Sequence, residues 1–355
     1  MATLSLADSV SREAWNAALA GLPRSHFLQT WEWGAFKSRH GWQVDRRLWR
    51  DGERVRAVAS VLTRRLGRGP GAVLYVSKGP ALDYADTALL EQVLGCLEVE
   101  ARRAGTLFVK IDPDVRLDTA EGAALVEALR RRGWRESSEQ IQFRNTMLLD
   151  LSGSLDDLMA AMRSKWRYNT RLAVRRGVTV RQGTLDDLPL LYEMYAETAR
   201  RDEFVIRPEA YYHDVWSTFI EAGLAQPLIA EVEGEAVAMV ILFHFADRAW
   251  YVYGASRSVY RDRMPNHLLQ WEGMRWAREQ GCVGYDMWGA PDELDESDPL
   301  WGVYRFKQGF GGQFVRHVGA WDYPGSRVGY WLYTSLMPRI LAAMRWRYRR
   351  ANGKA

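Results

Sequence analysis

Cysteine is scarce in this sequence of 355 residues, where only Cys96 and Cys282 occur. Each lies in an apolar stretch, which argues against a disulfide framework or a thiolate zinc site and indicates buried thiols in a reducing compartment. The N-terminus lacks a basic segment followed by a long apolar run, and no window reaches the roughly 18 apolar residues of a transmembrane helix. We therefore expect a cytoplasmic protein.

Familiar catalytic signatures are missing as well. The chain has no nucleophile elbow, no HExxH motif and no GxxxxGK[ST] loop, and its six histidines are scattered singly. The serine hydrolase, zincin and P-loop classes are therefore not indicated. The net charge is only +4, so a polyanionic partner would meet local basic patches rather than a uniformly basic surface.

Hydrophobic and aromatic residues, in contrast, are plentiful. Hydrophobic residues make up 47% of the chain, which includes 16 tryptophans and 16 tyrosines, and this profile is typical of a folded globular protein. Aromatic side chains with one polar group suit ligand clefts, although most of them are expected in the core. The length exceeds one ordinary domain of roughly 100–200 residues and predicts two or three domains.

One order of elements, a β-hairpin followed by a strand, a helix and a strand, is predicted twice in the chain. The first set covers 42–49, 55–62, 72–76, 86–103 and 107–111, and the second covers 228–232, 236–245, 250–253, 266–280 and 283–287. The alternation of strand and helix periods, with Asp-Gly or Glu-Gly at the hairpin turns, supports both assignments. The sequence therefore predicts a structural duplication, with each half a mixed sheet flanked by helices.

Three further helices are predicted between the two sets. A long helix over 155–176 begins with a capping box from Ser154 and Asp157 and ends at Gly177. A second helix over 185–200 begins with Thr184 in the same way, and a third follows Pro208. We place the domain boundary near residue 150.

This pattern is compatible with the acyl-CoA N-acetyltransferases, which seat the CoA pyrophosphate on a glycine-rich turn at a helix N-terminus. The corresponding turn in the second half, 261–266 (RDRMPN), has no glycine and contains a proline. The corresponding turn in the first half, 82–86, is acidic and disfavours a phosphate. A different acyl donor is therefore indicated.

Seven stretches in order resemble the Fem family, the non-ribosomal peptidyltransferases that build peptidoglycan cross-bridges from aminoacyl-tRNA. These stretches are 27–34 (FLQTWEWG) with Lys37, 78–80 (KGP), 110–114 (KIDPD), 162–176 (MRSKWRYNTRLAVRR), 251–255 (YVYGA), 265–272 from Pro-Asn to Glu, and 304–312 (YRFKQGFGG). The resemblance covers nearly the whole chain. Some members of the family carry a long helical arm inserted in the second domain. The sequence has no sustained heptad repeat that would predict such an arm, so the chain resembles the armless members.

The resemblance implies an α/β (α+β) fold of tandem acetyltransferase-like (GNAT-like) domains. The first domain, 1–150 joined by the final segment 325–355, would hold the peptidoglycan precursor. The second domain, 151–324, would receive the acceptor end of aminoacyl-tRNA and perform catalysis. We expect transfer of Gly, Ala or Ser to an amine of the stem peptide of either UDP-MurNAc-pentapeptide or the lipid-linked precursor, by a monomer without a metal or cofactor.

The resemblance also assigns substrate-binding residues. Lys37 matches a position that binds precursor phosphates, and Arg207 and Tyr211 match further precursor contacts. Tyr251 and Tyr253 match tyrosines that line the cleft, and their alternation predicts that they share one face of the sheet. Lys37 could instead be a solvated lysine, Arg207 could pair locally, and the two tyrosines could be core residues.

The catalytic candidates are Asp112, Tyr251, Phe306 and Lys307. Asp112 ends a buried strand, where a carboxylate is costly unless paired or useful, and is the candidate base; it could equally be a turn residue. Lys307 follows Phe306 before a loop, 308–312, that we expect to be flexible, and would stabilise the oxyanion or the leaving ribose oxygen. The alternative for Lys307 is phosphate docking without a catalytic effect.

Two basic segments each have two interpretations. Arg163, Arg167 and Arg171 share one helix face by their spacing and could follow the tRNA backbone, or could be a solvated face. The final segment, with its aromatic residues and Arg345, Arg347, Arg349 and Arg350, could pack as a helix on the first domain, as the resemblance favours. Alternatively it makes a peripheral contact with anionic lipid at the membrane.

Two rival functions are considered. The first is an acyl or aminoacyl transferase that acts on another amine, because the fold does not fix the substrate. The second is a non-catalytic RNA- or membrane-binding protein on the same scaffold, which the presence of Asp112, Tyr251 and Lys307 argues against.

Overall fold

The computed structural model describes residues 3–6, 10–67, 71–336 and 339. The chain separates into two compact units. The first comprises Met1–Gln142 together with Val318–Ala355, and the second comprises Phe143–His317. The chain therefore leaves the first unit after Gln142, builds the second unit, and returns at Val318.

The first unit contains a mixed sheet with the strand order β1-β2-β3-β4-β6-β15-β7, and β5 pairs with β3. Among the strands described for this unit, only β4 and β6 are parallel neighbours. The strands are β1 (Thr3–Leu6), β2 (Gln43–Asp51), β3 (Arg54–Arg65), β4 (Ala72–Val76), β5 (Ala81–Leu82), β6 (Thr106–Ile111), β7 (Arg135–Glu136) and β15 (Trp321–Pro324). The helices of this unit are α1 (Arg12–Ala20), α2 (Trp31–Arg39), α3 (Thr87–Ala101), α4 (Ala120–Arg131) and α11 (Arg327–Trp331).

Helix α3 shows how the sequence builds this unit. The Asp86 side chain caps its first turn by accepting a hydrogen bond from the backbone N–H of Leu89 at 3.0 Å. The apolar residues that recur at three and four positions are buried in the core of the first unit, namely Leu89, Leu90, Val93, Leu94 and Leu97. The helical period predicted from these residues is confirmed.

The second unit contains a mixed sheet with the order β14-β8-β13-β12-β11-β10-β9, in which β12 and β13 are parallel. Its strands are β8 (Asn145–Asp150), β9 (Val178–Gln182), β10 (Ala225–Val232), β11 (Glu235–Phe245), β12 (Arg248–Ser256), β13 (Gly284–Asp286) and β14 (Gln313–Arg316). Its helices are α5 (Leu155–Ala161), α6 (Ser164–Arg175), α7 (Leu188–Arg201), α8 (Glu209–Glu221), α9 (Pro265–Glu279) and α10 (Trp301–Gln308).

The two sheets repeat one arrangement. In the first unit the hairpin β2–β3 pairs with β4, helix α3 follows, and β6 lies parallel to β4. In the second unit the hairpin β10–β11 pairs with β12, helix α9 follows, and β13 lies parallel to β12. The predicted duplication and the α/β class with two mixed sheets flanked by helices are therefore confirmed.

The prediction of one helix over 155–176 is wrong, because the chain breaks between α5 and α6. Met162 and Arg163 are extended, with ψ of 150° and 146°, and Met162 is buried in the core of the second unit. The Arg167 guanidinium donates to the carbonyls of Ala160 and Met162, which α5 leaves without helical partners. Burial of Met162 and this capping favour the break over a continuous helix. The capping box of Ser154 and Asp157 is present as predicted.

The glycine-containing segment after α10 also differs from expectation, because it is tightly packed rather than a flexible loop. Phe310 belongs to the core of the second unit. A Cβ atom on Gly309 would lie 2.0 Å from the Trp166 indole, and one on Gly311 would lie 2.7 Å from the Ala161 carbonyl oxygen. The glycines are therefore required by close contacts rather than by mobility.

The final segment begins with α11, continues as a π-helical stretch (Leu332–Leu336), and packs Tyr330 and Tyr333 against Phe108 of the first unit. The basic tail with Arg345, Arg347, Arg349 and Arg350 lies outside the described residues. No helix in the described part of the chain is long and apolar enough to cross a membrane.

Candidate active site

Lys307 lies on α10 with its side chain directed into the core of the second unit. The side chain is only 5% exposed, and its ammonium donates to the carbonyls of Trp288 and Gly289, both at 2.7 Å. The ammonium also lies 5.6 Å from the centroid of the Tyr251 ring. Burial lowers the pKa of Lys307 to about 7, while the negative charge of Asp286 opposes the shift. Lys307 can therefore both carry a charge and exchange a proton near neutral pH.

The turn that supplies those two carbonyls is shaped by Asp286, which ends β13. One oxygen of this buried carboxylate accepts from the Trp288 backbone N–H at 2.7 Å and from the hydroxyl of Thr146 on β8. Trp288 has a φ of 56°, a conformation that costs free energy for a side chain of this size. Asp286 thus fixes the strained turn and places a negative charge near Lys307.

Tyr251 and Tyr253 lie on opposite faces of the sheet, so the prediction that they share a face is wrong. The pairing of β11 with β12 shifts between Ile241 and Leu242, which pair with Tyr253 and Tyr251 respectively, so a β-bulge falls at Val252. The extra residue reverses the alternation of side chains. Tyr251 therefore faces Lys307 and lies over Gly254, where a Cβ would meet its hydroxyl at 2.1 Å. Burial raises the pKa of Tyr251 to about 12, so its phenol remains a proton donor at neutral pH.

Phe306, which precedes Lys307 on α10, is held by aromatic neighbours. Its ring makes edge contacts with His267 and Phe310, with centroids 5.3 Å and 5.1 Å away. Its carbonyl accepts from the Trp166 indole N–H at 2.9 Å. Burial lowers the pKa of His267 to about 4, so this ring is neutral at physiological pH. The aromatic packing fixes α10 and therefore the position of Lys307.

Tyr253 joins a second group of aromatic residues on the opposite face. Its ring contacts Tyr195, Tyr212 and Trp216 on α7 and α8, with centroids 5.6 to 6.0 Å away. Nearby, the exposed Arg207 stacks its guanidinium over the Tyr211 ring at 4.8 Å. Arg207 precedes α8 rather than lying on it, yet the structure brings it to Tyr211. Three of the predicted substrate-binding residues thus lie in one part of the second unit.

Lys37 lies on α2 in the first unit. Its ammonium lies over the rings of Trp33, Phe36 and Trp42, at 5.2, 5.8 and 5.4 Å from their centroids. A half-buried cation above three aromatic faces is restrained more than a solvated lysine. This placement agrees with a prearranged positive charge that could receive an anionic group.

Asp112 follows β6 and is buried in the first unit. Its carboxylate accepts from the Tyr75 hydroxyl at 2.5 Å and from the backbone N–H of Lys78. Lys78 has a φ of 47°, and its ammonium lies 3.9 Å from the carboxylate of Asp114. Burial raises the pKa of Asp112 to about 6. Asp112 therefore stabilises an unusual turn and has a proton affinity suited to exchange near neutral pH.

The arginines of the 162–176 segment have structural contacts. Arg163 precedes α6 and donates to the side chain of Gln308 at 2.5 Å, while Arg167 caps α5. Arg171 lies on the exposed side of α6. Because the helix is broken at Met162 and Arg163, the three do not lie on one continuous helix as predicted.

The turn before α9, where acetyltransferases hold the CoA pyrophosphate, is poorly suited to that role. Tyr260 and Met264 have positive φ, and Pro265 removes a backbone N–H from the first helical turn. Arg263 is engaged with Glu233 at 2.7 Å. These features support an acyl donor other than CoA. Within the described residues, no cluster of three or more potential metal ligands occurs.

The main residue that sequence reasoning missed is Asp286. It ends β13 of the second unit as Asp112 follows β6 of the first, and both carboxylates hold a backbone N–H in a turn with positive φ. The argument applied to Asp112, that a carboxylate at the end of a buried strand must be paired or useful, applies equally to Asp286. The predicted duplication was the signal that would have found it.

The repeated sheets, each with a hairpin, a strand, a helix and a parallel strand, define a fold of tandem acetyltransferase-like domains. A tandem GNAT protein from the clavulanic acid biosynthesis pathway has the same fold, with a TM-score of 0.56, 12% identity and coverage of 92% of this chain and 99% of that protein. The crystal structure of FemX is more similar, with a TM-score of 0.83, 22% identity and coverage of 91% and 97%.

The sequence model of the FemAB family matches residues 11–235 and 221–337. The chain belongs to the FemAB family, as the sequence motifs indicated, and is an aminoacyltransferase. One relative is the lipid II:glycine glycyltransferase of Staphylococcus epidermidis, which is 24% identical over 414 residues that cover 98% of this chain and 99% of the relative. The longest helices in the described part of the chain, α3 and α9, have 15 residues each, so no long helical arm is present there.

Proposed function

We propose that this protein transfers an amino acid from aminoacyl-tRNA to an amine on the stem peptide of the lipid-linked peptidoglycan precursor. The amino acid is Gly, Ala or Ser, and the name of the staphylococcal relative favours glycine and a lipid-linked acceptor over UDP-MurNAc-pentapeptide. The observation that carries the proposal is the geometry of Lys307, a buried ammonium held by two carbonyls beside Tyr251.

The reaction is aminolysis of an ester. The acceptor amine attacks the ester carbonyl, a C–N bond forms, and the C–O bond to the terminal ribose breaks. The amine loses one proton and the ribose oxygen gains one. Lys307 in its protonated form stabilises the developing oxyanion and can donate the proton to the ribose oxygen.

The other residues bind or position substrates. Tyr251 presents a phenol that stays protonated next to Lys307, and Phe306 offers an aromatic face for the end of the tRNA. Lys37 and the pair of Arg207 and Tyr211 would bind the precursor's anionic groups. Arg171 would contact the tRNA backbone by charge alone.

Asp112 is the proposed proton acceptor for the amine, because its raised pKa suits a base near neutral pH. Its two hydrogen bonds also give it a structural role in the Lys78 turn. The two roles predict different results for Asp112→Asn.

The function is tested by incubating the purified protein with tRNA charged with labelled amino acids and with either the lipid-linked or the nucleotide-linked precursor. We expect mass spectrometry to find label on the lipid-linked precursor, and ribonuclease treatment to abolish the transfer. Transfer from an acyl-CoA, with none from charged tRNA, would contradict the proposal and support a different amine acyltransferase.

The role of Lys307 is tested by Lys307→Met, which removes the charge and keeps the aliphatic chain. We expect kcat to fall about 10²- to 10³-fold, the effect of removing one group that stabilises an oxyanion. Lys165→Met, an exposed lysine on α6, is the matched control and should leave kcat unchanged. Weaker tRNA binding with an unchanged kcat would instead assign Lys307 to docking.

A further inference from the structure

Two cations lie over the ring of one tryptophan in the first unit. The ammonium of Lys37 is 5.4 Å and the guanidinium carbon of Arg64 is 5.5 Å from the centroid of the Trp42 ring. Because both distances are measured from the same point, the two charges are at most about 11 Å apart and repel each other. An anion that contacts both cations would remove this repulsion.

The backbone explains why these three residues meet. The backbone N–H of Trp42 donates to the carbonyl of Lys37 at 3.2 Å, so the chain folds back on the end of α2 and brings the ring to the lysine. When the register of the β2–β3 pairing is continued by one residue, Trp42 lies opposite Arg64. The half-buried ring also packs on the apolar cluster that contains Phe108 and Tyr330, which restrains it.

Arg64 has the properties of an anion-binding residue. Its side chain is exposed, and it forms no ion pair with a carboxylate within the described part of the chain. Arg56 on the same strand is, in contrast, paired with Asp86 at 2.8 Å. A guanidinium over an aromatic ring is restrained by the ring and still presents N–H groups at its edge, where they match two oxygens of one phosphate.

We propose that Lys37, Trp42 and Arg64 form a binding site for a diphosphate, in which the ring positions the two cations and each cation contacts one phosphate. The identity of the ligand rests on the function proposed above, because the sugar of the precursor is joined to its carrier through a diphosphate. Lys37 alone is a single point charge, which distinguishes poorly between one phosphate and two. Arg64 supplies this distinction and is a specificity-determining residue for the acceptor.

The proposal is tested by isothermal titration calorimetry of the full-length protein with inorganic pyrophosphate and with inorganic orthophosphate at low salt. We expect the wild type to prefer pyrophosphate. Arg64→Gln should weaken pyrophosphate binding at least about tenfold, the effect of losing a hydrogen bond to a charged group, and should weaken orthophosphate binding less. Arg65→Gln is the matched control, because this exposed arginine points to the opposite face of β3, and it should bind like the wild type.

Four results would overturn the proposal. These are no binding of pyrophosphate by the wild type, unchanged binding of pyrophosphate by Arg64→Gln, an equal loss of pyrophosphate and orthophosphate binding in that variant, and weaker binding of uncharged tRNA with unchanged pyrophosphate binding. The thermal unfolding midpoint of Arg64→Gln should match that of the wild type, because the side chain is exposed. Since the titration contains neither charged tRNA nor a stem peptide, its failure is distinct from a failure of the proposed transfer reaction.

Discussion

The environment of Lys307 determines its protonation state. Burial disfavours the charged ammonium and lowers the pKa of Lys307 to about 7, while the negative charge of Asp286 opposes the shift. For Asp112 burial disfavours the charged form, and its pKa rises to about 6. In the proposed reaction Asp112 is the base and Lys307 is the acid. Because their pKa values are about 6 and about 7, kcat should follow a narrow bell-shaped profile with pH.

Asp286→Asn is predicted to move the alkaline limb of the kcat profile to lower pH. The change removes the negative charge that favours the protonated form of Lys307, so the pKa of the lysine should fall. The proposed general acid is then lost at a lower pH than in the wild type. The measurement is kcat against pH with both substrates saturating. Thr146→Val, which removes a hydrogen bond to Asp286 but retains the charge, should leave the limb in place. If the alkaline limb does not move in Asp286→Asn, the charge of Asp286 does not influence the group that titrates in this limb.

Asp112→Asn is predicted to lower kcat by about 10²- to 10⁴-fold and to remove the acidic limb, as expected for loss of a general base. Asp114→Asn alters the neighbouring buried carboxylate, which faces the Lys78 ammonium, and should retain kcat. If Asp112→Asn instead keeps its kcat and lowers only the free energy of unfolding, by about 1–3 kcal/mol, Asp112 serves the turn alone.

At the scale of elements, the position of α10 depends on how closely its end packs. The Trp166 ring covers Gly309, and its indole N–H bonds the Phe306 carbonyl. Arg163 reaches the neighbouring Gln308 from the break between α5 and α6. The helix that carries Lys307 is therefore located by side chains of a segment far away in sequence.

Gly309→Ala is predicted to destabilise the protein by about 1–3 kcal/mol, because the added methyl group would overlap the Trp166 indole. Gly302→Ala changes an exposed glycine in the first turn of α10, the helix that Gly309 follows, and no atom lies within 4 Å of the new Cβ. This control should be neutral or stabilising by about 0.5–1 kcal/mol, the difference in helix propensity. Urea unfolding measures both, and equal stability of the two variants would refute the packing argument.

At the scale of the whole molecule, the first unit includes a strand that follows the second unit in the sequence. Strand β15 lies between β6 and β7, although it follows the second unit in sequence. A buried ion pair joins β15 to β6, with the Lys110 ammonium 3.1 Å from the Asp322 carboxylate. The same carboxylate accepts from Tyr330, so it also anchors α11.

Asp322→Ala is predicted to lower the free energy of unfolding by about 3–5 kcal/mol, because it leaves the Lys110 ammonium buried without its counter-ion. Arg131→Ala, which breaks a largely exposed pair with Glu91, should cost less than about 1 kcal/mol. Chemical denaturation of the two variants under identical conditions provides the comparison. If both variants lose a similar free energy of unfolding, the buried Lys110–Asp322 pair contributes no more to stability than an exposed pair does.

The sequence by itself determined the repeated order of elements, the helix caps, and the family to which the chain belongs. These features depend on local periods, on short capping patterns, and on motifs that keep their order along the chain. Asp112 and Lys307 could be selected because their residue types and neighbours are informative without coordinates. The roles of these two residues remain proposals.

The tertiary structure decided what depends on contacts between distant residues. The bulge at Val252 separates Tyr251 from Tyr253, the break before α6 divides a predicted helix, and Asp286 joins Lys307 through a turn. No local pattern encodes a register shift, because pairing is selected by the burial of both strands together. The packing of the final segment likewise depends on Tyr330 and Tyr333, whose partner Phe108 lies more than two hundred residues away in sequence.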